Sequence, residues 1–512
     1  MSTEPTAPAA DQSLAARGQN RSQRPSSSAF LAWVTSGWAE RPASSVVQGP
    51  AAPYTAVRRA RLAAQFPGER LVIPAGGFKV RSNDCDYRFR PHSAFAHLTG
   101  LGSEQEPDAV LVLHPAAEGE GDELPDGGRS THRAVLYMRP LAGRDTEEFF
   151  ADSRYGEFWV GARPTLEDMA TATGIRTAHS DDLRDALAKD VGYDGIRLLV
   201  LPDADPAVEA VVEEIRATED AGEQDATLAE ALSELRLVKD AYEVGELRSA
   251  VAATVTGFEE TVRRLPEAVA HRRGERVIEG TFLDVARREG NAVGYETIAA
   301  AGPHATTLHW TDNDGQVRPG ELVLIDAGVE VDSLYTADVT RTLPVDGTFT
   351  DAQRRVYQAV LDAADAAFEV AVPGNRFRDV HAAAMAVIAA RLDEWGMLPV
   401  SAAESLDPEG QQHRRWMVHG TSHHLGLDVH DCAQARREMY LDAVIEPGMV
   451  FTIEPGLYFQ SDDLRVPAEL RGIGVRIEDD VLVTADGNEN LSAGLPRRPQ
   501  DVETWMADLR ER

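Results

Sequence analysis

The residues most able to do chemistry are concentrated in one segment, HGTSHHLGLDVHD, which contains His419, His423, His424 and His430. The whole chain has 14 histidines, so four between positions 419 and 430 is a marked concentration. Imidazole binds divalent metals and transfers protons near neutral pH. The segment therefore indicates a metal site or a proton-transfer site.

The spacing of these histidines is not that of a helical zinc protease. His419 and His423 would share one face of a helix, but the zinc-protease motif needs Glu directly after its first His. Gly420 stands at that position, and Gly426 disfavours a helix further along. The histidines are therefore candidate ligands, but not of that motif.

A second signal is a set of acidic residues at the ends of apolar strands. Asp326 follows LVLI, Asp338 lies in YTADVTRTLPV, Glu454 ends FTIE, and Glu478 follows VRI. A carboxylate buried at such a place costs several kcal/mol unless it is paired or binds a metal. Any one of these acids alone is better explained by a salt bridge or a cap.

Taken together, four carboxylates and one imidazole would neutralise two divalent cations. An oxygen-rich set with one imidazole suits Mn²⁺, Fe²⁺, Co²⁺ or Zn²⁺, and the ions of two-metal sites lie about 3.5 to 4 Å apart. The sequence therefore favours a pair of divalent ions held by these acids and a histidine.

These residues need a scaffold, and 512 residues are too many for one ordinary core. Residues 1–49 are expected to be a tail that is disordered or docks, because positions 1–28 are polar and the aromatic stretch FLAWVTSGWAE follows. Residues 50–232 are predicted to form an α/β domain, since RLVIPA, DAVLVLH and IRLLVLP alternate with helix-like stretches. Residues 233–512 begin with helices and continue as short apolar strands, which predicts an α+β domain with mostly antiparallel strands.

Composition excludes several classes of protein. The chain has 51 basic and 84 acidic residues, a net charge of −33, which disfavours nucleic acid and anionic lipid as partners. No apolar run is long enough to span a membrane, and the polar start does not look like a secretory signal. Cys85 and Cys432 are expected to be unpaired thiols, so the protein is interpreted as cytoplasmic.

The sequence resembles aminopeptidase P, the Xaa-Pro aminopeptidases among the metallopeptidases with the pita-bread fold. The resemblance runs from about residue 50 to residue 491 and rests on LIDAG, YTADVTRTLPV, HGTSHHLGLDVHD, TIEPGLY and RGIGVRIEDD, in that order. It implies an α/β N-terminal domain, an α+β pita-bread catalytic domain, and removal of the first residue from peptides with proline second.

The resemblance also implies a set of metal ligands. Asp338 and Glu478 would bridge two divalent ions, most simply Mn²⁺, with Co²⁺, Fe²⁺ or Zn²⁺ as alternatives. Asp326 would hold one ion, while His423 and Glu454 would hold the other. A hydroxide bridging the ions would attack the peptide carbonyl, and Glu454 would accept and return protons.

Further roles follow from the same resemblance. Three histidines would orient the substrate and stabilise the tetrahedral intermediate: His309, His419 and His430. Three other residues would support the ligands, and one of them, Arg476, would also be needed for activity: Asp84, Tyr458 and Arg476. Trp159 matches an aromatic that reaches into a neighbouring subunit's substrate pocket, and a homodimer or homotetramer is implied.

Two alternatives remain open from the sequence. A prolidase would have the same fold and metals but would cleave only Xaa-Pro dipeptides. A pita-bread protein without catalysis would act as a binding module, although such relatives lack some of the five ligands and this chain keeps all five. His424 stands where some relatives carry an aromatic residue, and SAAESLDPEGQQHRRWM is longer than expected.

Overall fold

The computed structural model describes residues 25–192, 195–217 and 221–511. Most of the stretch expected to be disordered, residues 1–28, lies outside these ranges. Helix α1 (Ser28–Val34) is the first described element. Trp38 follows it and lies edge-on to Phe149, with 5.4 Å between the ring centroids, a favourable arrangement for aromatic rings. The aromatic segment therefore contacts the body of the protein.

A mixed sheet forms the centre of the N-terminal part. Its strands are β1 (Arg70–Pro74), β4 (Val110–Pro115), β5 (His132–Met138), β6 (Arg176–His179) and β7 (Leu198–Val200), and the hairpin β2 (Val80–Ser82) and β3 (Cys85–Asp86) lies apart from it. The order across the sheet is β6, β5, β4, β1, β7. β1 is antiparallel to β4 and parallel to β7. Leu71 and Ile73 pack into one apolar cluster and Val72 into another, so both faces of β1 are buried.

Helices surround this sheet. They are α2 (Ala52–Ala63), α3 (Ser93–Thr99), α4 (Glu148–Ala151), α5 (Glu157–Val160), α6 (Leu166–Thr173), α7 (Leu183–Ala188), α8 (Pro206–Arg216) and α9 (Gly222–Glu234). Proline at the first position of α8 and the Asp205 carboxylate, which accepts the N–H groups of Ala207 and Val208, explain where that helix begins.

The C-terminal part combines long helices with short strands. The helices are α10 (Ala241–Ala270), α11 (Gly274–Glu289), α12 (Asp351–Val370), α13 (Phe377–Glu394), α14 (Ala402–Leu406) and α15 (Pro499–Glu511). The strands are β8 (Ala292–Val293), β9 (Ile298–Ala301), β10 (Leu322–Ala327), β11 (Val329–Glu330), β12 (Val339–Pro344), β13 (Val450–Ile453), β14 (Gly456–Tyr458), β15 (Gly474–Arg476), β16 (Asp479–Thr484) and β17 (Gly487–Asn490).

All pairings among these C-terminal strands are antiparallel. The sheets have the orders β12-β10-β9 and β13-β16-β17, and β8 pairs with β11 and β14 with β15. The predicted fold class, an α/β domain followed by an α+β domain, is therefore confirmed. The largest apolar cluster includes Phe258 and Phe282, packed edge-to-face on α10 and α11, together with Val323 of β10. This core fixes the strands whose ends carry the acidic residues.

Two ion pairs, each with one buried partner, join the N-terminal and C-terminal parts. Arg58 donates from Nε to Asp240 at 2.9 Å, and Asp240 also caps α10. Arg90 donates from Nε to Glu330 at 2.8 Å. Arg58 and Glu330 are both buried, so loss of either partner would leave an unpaired buried charge, which is strongly destabilising.

The two cysteines are unpaired, as expected: Cys85 is exposed and Cys432 is buried. Within the ranges that the structure describes, no helix combines the length and the apolar character needed to cross a bilayer.

Candidate active site

A cavity of about 620 Å³ in the C-terminal part brings together most of the residues singled out in the sequence. Its lining includes the five predicted ligands and four of the other predicted site residues: Asp326, Asp338, His423, Glu454 and Glu478, with His309, His419, His430 and Arg476. A larger cavity of about 1020 Å³ lies in the N-terminal part and contains none of them. The smaller cavity is therefore the candidate active site.

Two neighbouring strands supply the first pair of acids. Asp326 lies on β10, and Asp338 directly precedes β12, which pairs with β10. The Tyr295 hydroxyl lies 2.6 Å from Asp326 Oδ1 and 2.5 Å from Asp338 Oδ1, so it can donate a hydrogen bond to either carboxylate. The backbone N–H of Asp338 donates to Asp480 at 3.2 Å. The antiparallel register and these hydrogen bonds together hold the two carboxylates beside each other.

Glu478 enters the cavity between β15 and β16. Its backbone N–H donates to the carbonyl of Thr340 at 3.1 Å, and the Thr340 hydroxyl donates to Glu478 Oε2 at 2.6 Å. Arg476, two residues before it and on the same side of the strand, donates to the Thr340 hydroxyl at 3.0 Å and to Asp326 at 2.5 Å. Arg476 is buried, so this guanidinium ties β10, β12 and β15 together at the cavity.

His423 and Glu454 are placed by backbone pairing. The Thr452 N–H donates to the His423 carbonyl at 2.9 Å, and the Glu454 N–H donates to the Thr421 carbonyl at the same distance. His423 Nδ1 lies 3.2 Å from the carbonyl of His424, so an Nδ1–H donor leaves Nε2 free to face the cavity. Nε2 lies 3.2 Å from Asp338 and 3.6 Å from Glu454.

The arrangement fits divalent cations. One ligand atom each from Asp338, His423 and Glu478 lies within 4.8 Å of the other two. Asp326 and Glu454 line the same cavity, which gives four carboxyl groups against one buried guanidinium. The donors are mostly carboxylate oxygens with one imidazole, a set that Mn²⁺, Fe²⁺, Co²⁺ or Zn²⁺ accept.

The acids oppose one another's ionisation. Burial, together with Asp338 and Glu454, raises the pKa of Glu478 well above its usual value. Burial also raises the pKa of Glu454 to about 7 and raises that of Asp326, although Arg476 acts in the opposite direction on both. Positive charge placed among these groups would keep them ionised.

His423 and Asp338 behave as an ion pair. Burial alone would lower the pKa of His423, but the carboxylates of Asp338 and Glu454 raise it to about 9. Burial alone would raise the pKa of Asp338, but the hydrogen bond from His423 holds it below its usual value. A proton on His423 Nε2 occupies the position from which that nitrogen would bind a metal, so proton and metal compete for it.

The three other predicted histidines, His309, His419 and His430, differ in the contacts that hold their rings. The His419 Nε2 lies 2.8 Å from the Tyr458 hydroxyl, and its Nδ1 lies 2.5 Å from the carbonyl of Gly420. Burial and Arg476 lower its pKa to about 3, so it is neutral. The His430 ring lies edge-on to His423 with 4.5 Å between centroids. His309 is exposed at the mouth.

The remaining predicted site residues differ in burial and in distance from the cavity: they are Tyr458, Asp84 and Trp159. Tyr458 is buried and accepts a hydrogen bond from Arg476 at 3.2 Å, beside the cavity. Asp84 is exposed at the turn between β2 and β3 and does not line the cavity. Trp159 is 57% exposed on α5, and its indole N–H donates to the carbonyl of Phe150 at 2.8 Å. The roles assigned to Asp84 and Trp159 stay predictions.

Sequence reasoning missed Tyr295 and Thr340. Thr340 could have been found, because it is two residues after Asp338 and side chains alternate along a strand, which puts both on one face. Tyr295 gives no comparable signal, since it lies 31 residues before Asp326 and reaches the acids only through the fold. His424, which stands where some relatives carry an aromatic residue, is buried and stacks on Phe377 with 4.8 Å between centroids.

Comparison with known proteins agrees with this geometry. The model of metallopeptidase family M24 matches residues 245–485, and that of the aminopeptidase P N-terminal domain matches residues 55–196. Xaa-Pro aminopeptidase 2 of Streptomyces coelicolor is 52% identical over 94% of this chain and 96% of its own length. Xaa-Pro aminopeptidase 1 of the same organism is 50% identical over 93% of this chain and 91% of its own length.

A solved structure resembles the whole fold. Aminopeptidase PepP of Pseudomonas aeruginosa superposes with a TM-score of 0.76 at 30% identity, covering 91% of this chain and 100% of that one. The match includes both parts of the chain, so the pita-bread catalytic domain and its N-terminal companion are confirmed. The chain belongs to the aminopeptidase P family of M24 metallopeptidases.

Proposed function

We propose that this chain is an Xaa-Pro aminopeptidase that uses two divalent cations to hydrolyse the first peptide bond of peptides with proline at the second position. One observation carries the proposal. Five side chains spread from position 326 to position 478 line one cavity, and three of them present ligand atoms within 4.8 Å of one another. Its curated relatives bear the name Xaa-Pro aminopeptidase.

We carry the ligand assignment over from the family resemblance, because all five side chains line the cavity. Asp338 and Glu478 would contact both ions, Asp326 would hold one ion, and His423 with Glu454 would hold the other. When bound, two such ions supply Lewis acidity that activates water and polarises a peptide carbonyl at neutral pH. Arg476 donates to one oxygen of Asp326 and the Tyr295 hydroxyl contacts the other, so these two residues fix the orientation of that carboxylate.

Proton transfer is assigned to Glu454. Its carboxylate lies at the cavity wall, 3.6 Å from His419 and 3.6 Å from His423. It can accept a proton from the attacking water at one oxygen and return it to the departing proline nitrogen. That nitrogen belongs to a tertiary amide, so it must gain a proton to leave as an amine.

Stabilisation of the developing oxyanion is assigned to His309 and His430. Both line the cavity, and within the described ranges no hydrogen bond joins either side chain to another residue. Their ring N–H groups are therefore available to a substrate carbonyl. His419 already bonds to Tyr458 and Gly420, so its contribution is to orient the substrate through a fixed ring.

The test is peptide specificity. With Mn²⁺ added, the protein should release alanine from Ala-Pro-Ala and leave Ala-Ala-Ala intact, and the Asp338→Asn variant should release little from either. Cleavage of Ala-Pro without cleavage of Ala-Pro-Ala would identify a prolidase instead. Absence of cleavage of all three peptides would indicate a binding protein.

The choice of Mn²⁺ is part of the proposal, since oxygen-rich sites accept several first-row ions. Apoprotein should be reconstituted separately with Mn²⁺, Co²⁺, Fe²⁺ and Zn²⁺ and assayed on Ala-Pro-Ala. Mn²⁺ should give the highest kcat/KM. A higher value with another ion would assign the site to that ion.

We also propose that this chain assembles as a homodimer or homotetramer. Phe158, Trp159 and Val160 are consecutive apolar residues on α5, each more than half exposed. Such a patch fits a homodimer or homotetramer in which Trp159 reaches a neighbour's cavity. Light scattering should show an oligomer, and Trp159→Ala should raise KM for Ala-Pro-Ala. Asp84, at the β2–β3 turn, is still proposed to support the metal ligands, as the family resemblance implies.

A cytoplasmic location is proposed because both cysteines are free, and one of them, Cys85, is exposed. Unpaired exposed thiols persist in reducing compartments. Fractionation of the source cells, followed by detection of the protein, tests this directly. Recovery in the secreted fraction would contradict it.

A further inference from the structure

We infer that Glu275 is a positioning residue that holds His309 at the cavity, an inference that rests on the proposed function. Residues 302–321 form the connection between β9 and β10, and His309 lies within it. Leu308 and Thr311 of the same connection also line the cavity. This connection therefore forms one wall of the candidate active site.

His309 cannot fix its own position. Its side chain is exposed, and it makes no hydrogen bond to any other residue in the part of the chain that the structure describes. Its ring is therefore placed only by the backbone of the connection. Whatever immobilises that backbone determines where a ring N–H can meet a substrate.

The buried carboxylate of Glu275 makes polar contacts with several residues in and beside this connection. Its side chain is completely buried in the first turn of α11. Oε1 accepts the N–H of Ala301 at 2.8 Å and lies 2.7 Å from His304 Nδ1. Oε2 accepts the indole N–H of Trp310 at 2.9 Å and the N–H of Gly315 at 2.6 Å.

These partners lie on both sides of His309. Ala301 directly precedes the connection, Gly315 lies six residues after His309, and Trp310 is its immediate neighbour. The Trp310 ring also stacks on His304, with 3.9 Å between centroids and 27° between planes. Hydrogen bonds to an ionised acceptor are stronger than neutral ones. Removal of one donor should therefore make the backbone of this connection more mobile.

The arrangement predicts an effect that passes through His309. Trp310→Phe keeps an aromatic ring and removes the donor to Glu275, and should lower kcat/KM for Ala-Pro-Ala about tenfold. In a His309→Ala background the same change should cost about twofold or less, because the ring that it positions is gone. An equal fold-loss in both backgrounds would overturn the inference.

A second readout does not depend on activity. Hydrogen exchange of peptides covering residues 299–316 should be faster in Trp310→Phe and in Glu275→Gln, whose amide offers one acceptor atom in place of two. Trp395→Phe is the matched control, since no hydrogen bond of its indole is found among the described residues, and it should change neither exchange nor kcat/KM. Unchanged exchange in both test variants would overturn the inference.

The two proposals fail separately. If the parent protein did not cleave Ala-Pro-Ala, the proposed function would fail, while the exchange experiment would still test whether Glu275 anchors the connection. If the parent cleaved the peptide and Trp310→Phe cost the same factor in kcat/KM with and without His309→Ala, only the positioning role would fail. Metal content should equal that of the parent in every variant, because none of the changed residues is a predicted ligand.

Discussion

The Tyr295 hydroxyl oxygen lies 2.6 Å from one oxygen of Asp326 and 2.5 Å from one oxygen of Asp338. One phenol thus contacts the acid assigned to a single ion and an acid assigned to both. The hydroxyl contacts Oδ1 of each carboxylate. Arg476 donates to Asp326 Oδ2 at 2.5 Å, and His423 Nε2 lies 3.2 Å from Asp338 Oδ2, so both oxygens of each acid have a fixed neighbour. Tyr295 therefore belongs to the structure that shapes the ligand set.

Removal of that hydroxyl should weaken metal binding. Tyr295→Phe is expected to lower the affinity for Mn²⁺ about 10-fold or more, because residues that hydrogen-bond metal ligands commonly contribute 10- to 100-fold. Isothermal titration of apoprotein with Mn²⁺ measures this. Tyr357→Phe is a matched control: Tyr357 is buried, and its hydroxyl has no hydrogen-bond partner among the described residues. Equal affinities in both variants would contradict the role of Tyr295.

Arg476 should be needed for turnover without being a ligand. Arg476→Lys keeps the charge but cannot reach Asp326, Thr340 and Tyr458 at once, so kcat/KM should fall about 10- to 100-fold. Arg476→Ala should fall further. Metal content measured by mass spectrometry should remain close to that of the parent under saturating Mn²⁺. Full activity in Arg476→Lys would mean that charge alone matters.

The N-terminal part should influence activity through the segment that carries His430. Arg90 donates to the carbonyl of Leu427 at 2.5 Å, three residues before His430, and Arg90 also pairs with Glu330. Arg90→Ala is expected to lower kcat/KM about tenfold with unchanged metal content, since small displacements of catalytic groups are costly.

The control for Arg90 is a surface arginine of the same part. Arg184 pairs with Glu214, and both side chains are more than half exposed. Arg184→Ala should leave kcat/KM within about twofold of the parent. Loss of activity in both variants, or in neither, would contradict a specific effect on the His430 segment.

Thermal stability should depend on pH through Asp463. Hydrogen bonds from Arg415 lower the pKa of Asp463 to about 2, helped by the N–H of Arg465 and the indole N–H of Trp416. A depressed pKa gives stability that is present above about pH 4 and lost as pH falls toward 2. Asp463→Asn should therefore lower Tm at pH 7 by about 3 °C, and this difference should shrink at pH 3.

Asp462→Asn provides the matched control, because Asp462 is the exposed neighbour of Asp463. It should leave Tm unchanged at both pH values. A Tm difference for Asp463→Asn that stayed constant between pH 7 and pH 3 would mean that its ionisation contributes nothing.

Much of the fold and the ligand set could be predicted from the sequence for a local reason. Apolar strands that end in an acid, such as LVLID, place a carboxylate at a strand end. Antiparallel pairing then sets the end of β10, which carries Asp326, beside the start of β12, which Asp338 directly precedes. Tyr295 and Glu275 could not be predicted, because their importance arises from hydrogen bonds to residues 26 to 43 positions away in sequence. The role of Trp159 stays a prediction for another reason, because its predicted partner belongs to a second copy of the chain.

We expect two divalent cations to be held jointly by the five cavity residues Asp326, Asp338, His423, Glu454 and Glu478. Apoprotein dialysed against Mn²⁺ and analysed for bound metal per chain tests it most directly. The parent should bind two ions per chain, and Asp338→Asn, which changes a proposed bridging ligand, should bind one or fewer. Two tightly bound ions in the variant, or none in the parent, would contradict the account.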